Sequence, residues 1–150
     1  MLIVRKMQKS DVDRLYAIAL AAFKPAYDEY GLYPAIMNVH RQKFVAPLFL
    51  GVTFLIRGKI VGGAFVVAYG KTGEIGSIFI DPDRQKKGLG KEAMLLIETM
   101  YPKVNKWEVE VPSENLVLQS LCESLGYIKT QTKVDSKSGL SSYKYIKSVW

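Results

Sequence analysis

Apolar positions recur along this chain with two different periods, and the switches between them divide it into elements. Leu2 to Lys6 reads as a short strand. Ser10-Asp11-Val12-Asp13 predicts an N-cap with acids in the first turn of a helix through Phe23, and Pro25 is expected to end it. Ala26 to Pro47 is aromatic and irregular, with Gly31 and Pro34 as breakers and Ala35 to Val45 readable as a second helix. Val52 to Arg57 and Ile60 to Tyr69 are β-rich runs on either side of Gly58-Lys59, which predicts a hairpin turning there. Glu74 to Asp81 follows Gly70-Lys71-Thr72-Gly73 and adds a third antiparallel strand.

The second half is read more sharply. Gly88 to Met100 has helical spacing, with Met94, Leu95, Ile97 and Met100 expected toward one face. Lys106 to Val111 alternates Trp107, Val109 and Val111 with Lys106, Glu108 and Glu110, the period of a half-exposed strand with a polar Glu face. Ser113-Glu114-Asn115 opens a helix carrying Leu116, Val117, Leu118, Leu121 and Leu125, which Gly126 closes. Tyr127 to Val134 and Ser141 to Lys147 make a last hairpin. The order is β-α-(α)-β-β-β-α-β-α-β-β, with no repeat, low-complexity stretch or linker.

A length of 150 residues with 49% apolar content suits one domain with a core, residues 1–150, and argues against disorder. No apolar run approaches membrane-spanning length, and Met1-Leu2-Ile3-Val4 is followed at once by Arg5, Lys6 and Lys9, so the expected compartment is the cytoplasm, with no membrane partner. Cys122 is the sole cysteine and His40 the sole histidine, so neither a disulfide nor a metal centre is expected. The net charge of +7 suits an anionic ligand, a nucleic acid or an anionic surface. Its local excess lies at Arg84, Lys86, Lys87 and Lys91, with a looser group at Lys129, Lys133, Lys137, Lys144 and Lys147 that reads as a solvated hairpin face.

The first of these clusters sits where chemistry is readable. Gln85-Lys86-Lys87-Gly88-Leu89-Gly90 lies between a strand and a helix. The first amides of a helix lack internal acceptors and lie at the positive end of its dipole, and glycines let a phosphate approach the backbone. The spacing fits a pyrophosphate. It is not a Walker loop, because no Gly-Lys-Ser/Thr ends it, and the dinucleotide fingerprint is incomplete because Gly88-Leu89-Gly90 is followed by Ala93 and not by a glycine.

The wider run Ile78-Phe79-Ile80-Asp81-Pro82-Asp83-Arg84-Gln85-Lys86-Lys87-Gly88-Leu89-Gly90, then Glu110-Val111-Pro112-Ser113-Glu114-Asn115 and Cys122-Glu123-Ser124-Leu125-Gly126-Tyr127, resembles the GCN5-related N-acetyltransferase (GNAT) family. The resemblance extends from about residue 2 to residue 147 and is strongest over 74 to 127. It implies an α/β (α+β) fold, with a mixed, mostly antiparallel sheet of about seven strands and helices on both faces. It also implies acetyl-CoA as cosubstrate and direct transfer of acetyl to a primary amine. By the same resemblance the cofactor's pantetheine arm pairs with the backbone of Ile78, Phe79 and Ile80, its pyrophosphate rests on Gln85, Lys86, Lys87, Gly88, Leu89, Gly90 and Lys91, and Asn115 contacts it; a plain helix cap is the other reading of Asn115.

An amine must lose a proton to attack, so a carboxylate base is expected. Glu110 matches the position used by relatives acting on amino termini, and Glu74 that of the histone-modifying branch; each is also readable as a sheet-surface charge. Relatives protonate the leaving thiolate with a tyrosine where this chain has Cys122, which reads better as a buried packing residue, leaving Tyr127, another tyrosine or water as the acid. Tyr27, Glu29 and Tyr30, with Asp28 and Tyr33, form an aromatic and acidic patch suited to the amine acceptor. Alternatives are a non-catalytic acyl-CoA-binding module and, on charge alone, a basic nucleic-acid binder; a homodimer is left open.

Overall fold

The computed structural model describes residues 1–30, 51–85, 88–136 and 139–149. Seven strands form one mixed sheet in the order β1-β2-β3-β4-β5-β7-β6: β1 (Leu2–Lys6), β2 (Gly51–Ile56), β3 (Lys59–Tyr69), β4 (Thr72–Ile80), β5 (Lys106–Pro112), β6 (Ile128–Val134) and β7 (Ser141–Ser148). Among the described residues three α-helices accompany them, α1 (Val12–Tyr30), α2 (Leu89–Met100) and α3 (Leu116–Ser124). This is the GNAT arrangement expected from the sequence, with the segment read as a second helix lying outside the described residues. Chain contacts divide it into two compact units, Met1–Val66 with Ser77–Ile97, and Val67–Gly76 with Glu98–Trp150.

In the first unit β1 pairs antiparallel with β2, and β2 with β3. The connecting turn is Arg57-Gly58, one residue before the Gly58-Lys59 expected, because the left-handed dihedrals fall on Arg57 and Gly58 (φ 52° and 76°). The core is a face of α1, Val12, Leu15, Ile18 and Ala19, packed with Met7, Phe65 and Phe79, and Phe23 meets the Phe79 ring edge-on at 6.2 Å. At the entry to α1, Asp11 is buried yet fully partnered. Its carboxylate takes both Arg5 guanidinium nitrogens at 2.7 and 2.9 Å, the Gln8 amide at 2.8 Å and the Thr53 hydroxyl at 2.9 Å. The cap therefore precedes α1, on a 3-10 turn at Lys9–Asp11, rather than at Ser10.

The sequence places the end of α1 at Pro25, but the helix continues through it to Tyr30. A proline removes one amide donor and crowds the carbonyl a turn earlier. Here the apolar face through Phe23 is already fixed in the core, and Lys24 Nζ bridges Asp28 at 2.9 Å across the proline. A second difference is on α2, where Ala93, Met94 and Ile97 are buried while Leu95 is exposed, so Ala93 takes the core position assigned to Leu95.

In the second unit β4 and β5 run parallel from Thr72↔Lys106 to Ile75↔Val109, and β4 continues to Ile80 and β5 to Pro112. β5 pairs antiparallel with β7 along its whole length, and β7 with β6. The alternation read from the sequence holds: Trp107, Val109 and Val111 are buried. Gly73 lies opposite Trp107, and a Cβ there would enter the indole ring, so the glycine is what lets the largest core side chain pack flat on β4.

Candidate active site

In the first unit, β4 delivers Ile78, Phe79 and Ile80 and then breaks. Phe79 is buried in the α1 core, whereas Ile78 and Ile80 are half-buried on the alternate face, so only Phe79 is a core residue. Pro82 has no amide to continue a ladder, and Asp81 caps the 3-10 turn Pro82–Arg84 by accepting from the Asp83 amide at 3.1 Å while its other oxygen holds Arg14 at 2.9 Å. Gln85 Nε2 donates to the Ile80 carbonyl at 3.0 Å, tying the start of the glycine loop to the end of the strand. Gly88 has φ 74°, a left-handed conformation that costs glycine little, and its carbonyl accepts the Glu92 amide at 3.2 Å. It is therefore the residue that caps α2, and the amides of Leu89, Gly90 and Lys91 fall in the first turn, where none has an intrahelical acceptor. Lys86 and Lys87 lie outside the described residues.

In the second unit, one face of the sheet carries a recess of about 120 Å³ lined by Glu74, Glu108, Val109, Glu110, Lys133 and Lys144. Both expected carboxylates are in it. The register explains why: Glu74 lies opposite Glu108, and Glu110 opposite Lys144, so period-2 alternation turns all four to the same side. Glu110 is 55% exposed, takes a hydrogen bond from Ser142 at 3.1 Å and stands 3.9 Å from Lys133. Glu108 is the least exposed of the acids, at 14%, held between Lys106 and Lys144, each at 3.4 Å. Among the described residues the Glu74 carboxylate has no hydrogen-bond or ion-pair partner.

The position where the family resemblance leads one to expect a proton-donating tyrosine holds Cys122. Cys122 is fully buried, and burial, with help from the adjacent Glu123 charge, pushes its thiol up to about 12. Tyr127 is no better placed. It is almost fully buried, and burial with the Glu98 charge holds its phenol well above the usual range, its hydroxyl lying 3.4 Å from Glu98, which Lys147 also binds at 2.9 Å. Asn115 caps α3, its Oδ1 accepting the Leu118 amide at 3.0 Å, so the cap reading describes the geometry present. Tyr27 and Glu29 are exposed on the last turns of α1 rather than in a loop; the Tyr30 side chain and Tyr33 lie outside the described residues.

The profile of the Acetyltransferase (GNAT) family matches residues 12–127. The chain belongs to the GNAT acetyltransferase family. It is thus an acyltransferase by kinship. Similar solved GNAT structures include the PaiA N-acetyltransferase from Thermoplasma acidophilum in complex with coenzyme A, with TM-score 0.79, 16% identity and 99% of each chain covered. Ard1 from Thermoplasma volcanium gives TM-score 0.79 at 15% identity over 99% of this chain and 98% of its own. Ribosomal-protein-alanine N-acetyltransferase from Brucella melitensis gives 0.75 at 19% over 98% and 99%. No curated protein sequence matches significantly. Among the described residues no helix of this GNAT protein is long and apolar enough to cross a membrane.

Sequence reasoning missed Glu108, Lys144 and Lys133 as parts of the recess. Glu108 was findable, since it shares the polar face with Glu110. The two lysines were not, because their proximity depends on the β5–β7 and β6–β7 registers, which local pattern does not encode.

Proposed function

We propose that this GNAT protein is an acetyl-CoA-dependent N-acetyltransferase, one domain that moves acetyl directly to a primary amine. The observation that carries the reading is the strand-to-helix junction: Gly88 at φ 74° caps α2, whose first amides have no intrahelical acceptor, directly after a strand end tied down by Gln85. Oxygens of the cofactor pyrophosphate take those amides, with Lys91 and, outside the described residues, Lys86 and Lys87 as a positive rim. The backbone of Ile78 to Ile80 takes the pantetheine arm as an added strand, its Ile80 carbonyl already engaged by Gln85. Asn115 keeps its cap role and is a secondary contact.

In the reaction the amine nitrogen attacks the thioester carbonyl, a C–N bond forms, the C–S bond breaks, and the thiolate leaves and takes up a proton. The amine's proton goes to a carboxylate in the second-unit recess, either directly or through water. Glu110 is the leading base and Glu74 the alternative, Glu74 having the uncommitted carboxylate and Glu110 sharing its own with Ser142. Glu108, paired with two lysines, is the acid of the recess least available as a base. The leaving thiolate takes its proton from solvent, since the Cys122 thiol is fully buried and out of contact with solvent. Tyr27, Glu29 and Tyr30 remain the proposed acceptor patch.

The test is calorimetry with acetyl-CoA beside a free-thiol assay over a panel of amines. Gly90→Val should weaken binding strongly, and Lys86→Ala less and in a salt-dependent way; unchanged binding by Gly90→Val removes the cradle. One observation favours a second reading, a non-catalytic acyl-CoA-binding module: the usual proton donor is replaced by a thiol at about 12. Cofactor binding without turnover on any amine of the panel would establish it.

A further inference from the structure

The hairpin between β2 and β3 turns on Arg57-Gly58, both left-handed at φ 52° and 76°. The type I′ turn of a two-residue hairpin requires that conformation at both positions, and glycine, asparagine or aspartate normally fill them. Arg57 is the one non-glycine residue with positive φ among the described residues. Strain of this kind is kept where the side chain it presents has a use.

What Arg57 presents is one wall of a recess of about 360 Å³ whose lining is Met1, Ile56, Arg57, Lys59 and Arg84. Three of the five are cations and none is an acid. They come from two separate segments, the hairpin and the 3-10 turn after β4. Among the described residues no carboxylate pairs with any of the three, although Arg14 and Asp81, close in the same unit, pair with each other at 2.9 Å. Like charges gathered around one cavity repel, and a bound anion relieves that repulsion. Two guanidinium forks and one ammonium match the several oxygens of a phosphate better than a single carboxylate.

We propose that this recess is a phosphate-binding site, formed by Arg57, Lys59 and Arg84 and separate from the glycine cradle at Gly88 to Lys91. The sequence groups Arg84 with that cradle; the structure turns it to the hairpin instead. The phosphate is either free, as inorganic phosphate or a phosphate monoester, or it is the 3′-phosphate of coenzyme A. The site stands whether or not the chain transfers acetyl.

The experiment titrates inorganic phosphate at constant ionic strength, with chloride as the control, and reads calorimetry and melting temperature. Arg57→Gly is the informative variant, because glycine accepts the left-handed turn and the fold is retained or strengthened while the charge is lost. Wild type should bind phosphate, and Arg57→Gly should bind it about tenfold more weakly, the size of one lost charge-assisted hydrogen bond. Arg84→Gln should do the same from the other segment. Gly90→Val should keep the phosphate response. The source is set by two further arms. Undiminished phosphate binding at saturating acetyl-CoA assigns free phosphate; weaker binding of 3′-dephospho-acetyl-CoA than of acetyl-CoA, a difference that Arg57→Gly erases, assigns the cofactor's own. A phosphate response equal in wild type and both arginine variants, one lost in Gly90→Val, or none in wild type together with a 3′-phosphate effect independent of Arg57, overturns the site.

Discussion

Cys122 has no exposed surface, and burial with the Glu123 charge pushes its thiol up to about 12, so at neutral pH it is neither nucleophile nor useful acid. Cys122→Ala should therefore keep wild-type turnover while losing about 1 kcal/mol of stability for the small void it leaves. A folded, cofactor-binding Cys122→Ala protein whose turnover drops by orders of magnitude contradicts that. The carboxylates behave differently, because they line solvent-accessible space. Glu110→Gln keeps shape and the Ser142 contact but cannot take a proton, and turnover should fall by about 10²–10⁴ with acetyl-CoA affinity unchanged. The deficit should shrink as pH rises toward the amine's own pKa, where substrate arrives already neutral. Glu74→Gln is the matched variant: a wild-type pH–rate profile in Glu110→Gln beside a crippled Glu74→Gln moves the base to β4, and full rates in both leave the proton to water. These two residues were singled out in the sequence by the family resemblance, and alternation along β5 added only that Glu110 lies on a polar strand face. Glu108's two lysines were not, since one of them comes from β7, far along the chain.

At the scale of elements, β3 and β4 touch at a point that only glycine permits. A Cβ on Gly62 would run into the Phe79 carbonyl oxygen and lie 3.0 Å from the Ile80 Cα, both backbone atoms that cannot rotate away. Gly62→Ala should destabilise the protein by about 1–3 kcal/mol and displace the end of β4, weakening acetyl-CoA binding with every charged contact intact. Equal melting temperature and equal affinity in that variant would show that the strands separate freely. Neither this contact nor the turn at Arg57 is visible in a linear pattern: glycine in a strand signals close approach without naming the neighbour. Strands, α2 and the cap at Asn115 were readable because local propensity and burial agree there. The reading failed at Pro25 because tertiary packing of Leu15, Ile18 and Phe23 outweighs a local breaker, and at Leu95 because the core took the small Ala93 instead.

For the molecule as a whole, acid is the stress that the charge composition makes severe. Protonating the 14 Asp and Glu leaves 21 Lys and Arg unbalanced, and self-repulsion then opposes the folded state. One carboxylate contributes more than its share. Burial on its own would raise the Asp11 carboxyl, but the Arg5 guanidinium, the Gln8 amide and the Thr53 hydroxyl outweigh it and hold the group below the usual carboxylate range. A folded-state pKa lower than the unfolded one means that stability from this group is fully present above the unfolded value of about 3.9 and is lost as pH falls through the folded value. Asp11→Asn keeps the size and an acceptor but loses the ion pair, leaving a half-buried Arg5 uncompensated, so it should cost about 2 kcal/mol at neutral pH. Urea unfolding from pH 7 to pH 3 separates this from general acid repulsion, which both proteins share. The wild-type advantage should be constant down to the ordinary carboxylate range and then shrink, the two curves converging as Asp11 takes up its proton. Curves that remain parallel to pH 3 would place the stabilising charge elsewhere, and a gap that widens on acidification would reverse the sign assigned to Asp11.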